Sequence, residues 1–71
     1  MFARNLRRIR RAKGFSQESL AFEAGVNRSY MSKLEKGATY VGLEIIEKLS
    51  KVLAVPAADF LKPPPPKSRS K

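Results

Sequence analysis

Residues 16–37, SQESLAFEAGVNRSYMSKLEKG, hold two short helical patterns separated by a glycine. Ser16 offers a hydroxyl that can accept from the unpaired amides opening a helix, and Phe15 before it is spaced to staple onto Leu20. At about 100° per residue Leu20, Ala21 and Ala24 share one face, and Gly25 follows where a left-handed residue ends a helix without a Cβ clash. Asn27 caps the second pattern. Val26 and Met31 have staple spacing, Met31 and Leu34 mark the buried side, and Gly37 closes the segment.

Opposite that buried side Ser29, Ser32, Lys33 and Lys36 project outward, with Arg28 at the exposed amino-terminal end and no acid among them. Arg and Lys donate to guanine O6 and N7 and Ser serves either base, so Arg28, Ser29, Ser32 and Lys33 have the chemistry of a helix lying in a DNA groove. An ordinary solvated face carries the same residue types. The glycine turn and the charge of the chain decide between the two readings.

That charge is large: 15 Lys and Arg stand against 6 Asp and Glu, a net +9 over 71 residues, enough chain for one domain with one small core. It is also uneven. Residues 1–13 hold six cations and no acid, residues 14–61 five cations and six acids, and residues 62–71 four cations and no acid. Two basic ends flanking a near-neutral middle point to a polyanionic partner. Without Cys or His, disulfides, thiol catalysis and the usual zinc-ligand sets are excluded, and a reducing cytosol suits the chain. No cofactor is implied. No paired carboxylates or phosphate-binding glycine loop suggest an enzyme, and no apolar run approaches a membrane span.

The flanking sequence supplies more helices. Phe2, Leu6 and Ile9 cluster on one side of a helix ending near Lys13 and Gly14, with Arg4, Arg7 and Arg11 opposite and Arg8 and Arg10 on the flanks. Its outer arginines, Arg7 and Arg11 above all, can reach DNA phosphates, or simply solubilise the domain. The segment is also Arg-rich, acid-free and amphipathic, as a mitochondrial transit peptide is, but the domain needs it as a helix. After the loop ATYV, Gly42 caps a fourth helix through about Ala54 with Leu43, Ile46, Leu49 and Leu53 at helical intervals. Pro56 opens a short fifth helix whose Phe60 and Leu61 finish the core or form a dimer contact. Residues 62–71, KPPPPKSRSK, read as a Pro-rich basic tail, extended and disordered, beyond a domain of residues 1–61. The proline run also suits SH3- or WW-type grooves, a reading set aside for so small a chain.

From about Leu6 to Leu61 the sequence resembles the helix-turn-helix family of phage repressors and Cro proteins, often called XRE-type. The matching residues are Gln17, Ala21, Gly25, Met31, Leu34, Glu35 and Gly37. RSYMSKLEKG is particularly similar to small controller proteins of restriction-modification systems and to short orphan repressors. The resemblance implies an all-α fold of five helices and a cytoplasmic transcriptional regulator, of repressor type, with double-stranded DNA as its partner. It places base reading on Asn27, Arg28, Ser29, Ser32 and Lys33. Gln17 then contacts a phosphate or braces the first residue of the recognition helix, and Lys36, Thr39 and Tyr40 lie near the DNA backbone. Arg10 and Glu35, each bordering an apolar stripe, correspond to a partly buried ion pair of the family. Tyr30 has two readings: Phe22 covers its ring and leaves the phenol for phosphate or base, or both aromatics simply pack.

One recognition helix reads only a few base pairs, so a homodimer on an inverted repeat, with half-sites about 34 Å apart, is expected. A restriction-modification controller that activates or represses is the nearest alternative. An antitoxin-like protein-binding module is a more distant one, and would require a large apolar surface.

Overall fold

The two central helices begin and end on local chemistry, and together the helices position the site. The computed structural model describes residues 2–63. Helices α1 (Phe2–Ala12), α2 (Gln17–Ala24), α3 (Arg28–Lys36) and α4 (Leu43–Leu53) follow one another, and a single 3-10 turn, Ala57–Phe60, comes after them. Ser16 caps α2 through its hydroxyl, which accepts from Ser19 N at 3.0 Å, while Ser19 Oγ accepts in return from Ser16 N, so serine fills the reciprocal position usually taken by Glu or Gln. Gly25 ends α2 at φ 71°, and the Val26 amide turns back to Ala21 O at 2.9 Å. Asn27 caps α3 with Oδ1 accepting from Ser29 N at 2.7 Å.

Helix α4 ends in the same geometry without a glycine. Ala54 is left-handed at φ 57°, with the Val55 amide bonded to Ser50 O at 3.1 Å. The helical pattern in the sequence runs through about Ala54, to the break at Val55 and Pro56, and the helix itself ends at Leu53.

The expected five helices are four plus this 3-10 turn. Pro56 opens the segment and Pro63 forbids helical geometry at Lys62, leaving room for i→i+3 bonds such as Leu61 N to Ala58 O but for no sustained α-helix.

The core gathers Leu6 and Ile9 of α1, Leu20, Ala21 and Ala24 of α2, Met31 and Leu34 of α3, Ile46, Leu49 and Leu53 of α4, and Phe60. Helix α1 packs against α3 and the 3-10 turn, and α2 against α3 and α4. Leu43, expected in the α4 stripe, is 81% exposed. It lies about 90° from the mean direction of Ile46, Leu49 and Leu53 and begins the first turn, beyond the reach of the core. Phe60 is wholly buried and stacks obliquely on Phe2 at 5.6 Å, while Leu61 remains exposed. No described helix is long and apolar enough to cross a membrane. Of the residues read as the tail, Lys62 and Pro63 are described, and Pro64 to Lys71 lie outside the described residues.

Candidate nucleic-acid interface

Helix α3 owes its exposed chemistry to the way its single acid is handled. Glu35 faces inward, where its carboxylate accepts from Arg10 Nε, from Arg10 Nη2 at 3.0 Å and from Gln17 Nε2 at 3.0 Å. Arg10 also donates from Nη1 to Phe15 O at 2.8 Å. One buried carboxylate thus joins α1, α2 and α3. Burial pushes its pKa up, but the bonds from Arg10 and Gln17, with the charges of Arg10 and Arg7, outweigh that and hold it below the ordinary carboxylate range.

With Glu35 inside, the outer side of α3 carries cations and hydroxyls and no carboxylate. Arg28, Ser29, Lys33 and Lys36 are exposed, Ser32 is half-buried, and Asn27 lies exposed at the amino-terminal end. Lys33 and Lys36 also occupy the last turn, where cations complement the helix dipole. Asn27 has its carbonyl oxygen engaged in the cap, so only its amide group remains for another partner.

The other candidate residues are placed less uniformly. Gln17 sits at the start of α2 but braces Glu35 in the last turn of α3, not the first residue of that helix. Tyr30 donates its hydroxyl to Tyr40 O at 3.2 Å, tying α3 to the following loop. Its phenol is therefore not free in this arrangement, and Phe22 does not cover the ring. Phe22 is 81% exposed and shares a groove with Lys48, Lys51 and Val52 of α4. Thr39 and Tyr40 are exposed in the loop, and Arg7 and Arg11 are exposed on α1. Asn5, which sequence reading passed over, is fully buried. A polar residue beside the apolar side of α1 was the available signal. No cluster of three metal-ligating side chains occurs among the described residues.

Comparison with known proteins agrees with this geometry. The helix-turn-helix family matches residues 6–60. Control protein C.BamHI of Bacillus amyloliquefaciens is 45% identical over 62 residues, covering 86% of this chain and 76% of that protein. The crystal structure of the restriction-modification controller protein C.AhdI from Aeromonas hydrophila superposes with a TM-score of 0.81 at 42% identity, over 83% of this chain and 89% of that one. SinR, a master regulator for biofilm formation crystallised in complex with DNA, superposes with a TM-score of 0.83 at 35% identity, over 87% of this chain and 100% of that one. A glycine-turned helix pair, an outer helix face of cations and hydroxyls without an acid, and these relatives lead to one assignment: the chain belongs to the helix-turn-helix family.

Proposed function

We propose that this chain is a sequence-specific DNA-binding transcriptional regulator, of repressor type, that lays α3 in the major groove. The observation that carries this reading is the outer side of α3, left with cations and hydroxyls because Glu35 is buried. Arg28 and Lys33 donate to guanine edges, and Ser29, Ser32 and the Asn27 amide take the remaining base contacts. Arg7, Arg11, Lys36, Thr39 and Tyr40 meet the phosphate backbone, joined by Gln17 and Tyr30 when their amide and hydroxyl groups turn to it. Arg10 and Glu35 hold the three helices in register. Residues 1–61 act as the DNA-binding domain and residues 62–71 as a basic tail. The protein works as a homodimer on an inverted repeat in the cytoplasm, since one α3 reads too few base pairs to discriminate among genomic sites.

Selection of bound sequences from a random duplex pool tests this: a two-fold symmetric motif is expected. On that site Arg28→Ala and Lys33→Ala lose about 1–3 kcal/mol and relax base preference, whereas Arg7→Ala weakens all sequences about equally. Uniform loss in all three variants would remove α3 as the reader. A second reading, a restriction-modification controller, is favoured by the similarity to C.BamHI and C.AhdI. It predicts that reporter expression rises as well as falls when the site is moved relative to a promoter.

A further inference from the structure

Phe22 is a large apolar side chain outside the core cluster. At about 100° per residue it points opposite Leu20, Ala21 and Ala24, the buried trio of α2, so the packing of α2 against α3 and α4 leaves its ring in solvent. The ring borders a groove of about 320 Å³ between α2 and α4. Helix α2 gives Phe22 and Glu23 to this groove, and α4 gives Lys48, Lys51 and Val52. Small residues keep it open: Ala24 has only a methyl group to place there, and a Cβ added at Gly25 would meet nothing within 4 Å.

The two lysines of the groove do not take the partners that their spacing offers. Glu44 with Lys48 and Glu47 with Lys51 have the i, i+4 spacing of helix ion pairs. Among the described residues, however, the ion pairs are Arg10 with Glu35 and Lys62 with Asp59, so neither lysine has a carboxylate within bridging distance. Lys48 and Lys51 line the groove instead, about one helical turn apart, against a single acid, Glu23, on the α2 side. An uncovered aromatic ring and the apolar Val52 thus share one concave surface with two exposed, unpaired ammonium groups.

We infer that this groove docks an acidic segment of a partner protein, which sets one large apolar side chain against Phe22 and Val52 and its carboxylates against Lys48 and Lys51. Charge complementarity selects that occupant, since two cations face one acid across the groove. A protein interface needs an apolar centre and a polar rim, and these residues supply both. At about 320 Å³ the groove lies at the low end of small-molecule pockets and suits one anchoring side chain of a peptide. A DNA phosphate gains nothing from a phenyl ring beside Glu23. A closed two-fold dimer through this surface would set Lys48 and Lys51 against their own images. The groove reaches Gly25, two residues before the Asn27 cap, so a docked partner lies beside the turn into α3.

To test this, random peptides displayed on phage are selected on the immobilised full chain. A synthetic peptide of the resulting consensus is then titrated by fluorescence anisotropy and by amide shifts in proton–nitrogen NMR spectra. The consensus is expected to carry Phe, Trp or Leu flanked by Asp or Glu. Phe22→Ser, an exposed position whose change leaves the circular dichroism intact, weakens peptide binding by about tenfold or more, as loss of an anchoring aromatic does. Its affinity for duplex DNA stays at the wild-type value. Lys48→Glu/Lys51→Glu abolishes peptide binding, and a peptide whose acids are replaced by lysine restores it to that variant. In wild type the shifted amides gather at Glu23, Gly25, Lys51 and Val52.

A selection that yields no acidic, apolar consensus overturns the inference, as does a consensus peptide that binds Phe22→Ser like wild type. Absence of rescue by the lysine-substituted peptide overturns the part given to Lys48 and Lys51. Shifts that gather on α3, with the peptide released by duplex DNA, mark an acidic mimic of DNA and overturn the assignment to this groove. If Phe22→Ser turns a dimer into a monomer in sedimentation equilibrium, a second copy covers the groove and the choice of occupant falls. Each of these outcomes can be read whether or not α3 prefers a DNA sequence.

Discussion

Replacing Glu35 with alanine strips the junction of α1, α2 and α3 of its only carboxylate. In wild type this side chain is 2% exposed and accepts two bonds from Arg10 and one from Gln17, and the Arg10 side chain is 9% exposed. Truncation leaves a buried guanidinium whose remaining partner is Phe15 O. Breaking a buried pair by removing one member costs about 3–5 kcal/mol, against about 4–10 kcal/mol holding a domain of this size. At about 4–8 °C per kcal/mol, the melting temperature falls by about 12–40 °C. Urea titration followed by circular dichroism at pH 7 measures the loss. Replacing both members, Arg10→Met with Glu35→Leu, removes the stranded charge and recovers most of the stability, because buried ion pairs are often no better than well-packed apolar residues. A Glu35→Ala protein that unfolds with wild type while losing DNA binding would refute the structural role and move Glu35 into the interface.

The same pair sets the acid response. Because the folded Glu35 carboxyl titrates below its unfolded value, near about 4.3, the unfolded state binds more protons in that window. Its contribution is therefore complete above about pH 4.3–5 and disappears as pH falls through the folded value. Urea midpoints should show this loss in wild type and a smaller one in the double apolar variant. Ala54→Gly should stabilise the protein by about 0.5–1 kcal/mol, since Ala54 is exposed and left-handed; a lower urea midpoint would remove strain as the explanation. Phe60→Ala should cost about 3–5 kcal/mol and Leu43→Ala less than about 0.5, although both belong to apolar patterns in the sequence; equal losses in thermal unfolding would contradict their placement.

Much of the fold was legible because its signals are short-range. Ser16, Asn27, Gly25 and Gly37 act on amides and carbonyls within about one helical turn, so the caps and the glycine turn follow from neighbours in sequence. The apolar period assigned the inner sides of α1, α2 and α3 in the same way. The signals weakened toward the carboxyl end. Ala54 ends α4 where no glycine announces it, and the fifth helix shrinks to a 3-10 turn between two prolines.

The sequence by itself determined where the four α-helices lie, where three of them stop, and that the outer side of α3 carries donors, because periodicity and capping are local properties of the chain. The tertiary structure alone decided the long-range partners. Gln17 meets Glu35 across 18 residues and Asn5 meets Phe60 across 55, whereas the pairing of Arg10 with Glu35, across 25, was implied by the family resemblance and not by periodicity or capping. A side-chain amide or carboxylate carries no mark of its partner until packing brings one within about 3 Å and removes the water that would otherwise satisfy it.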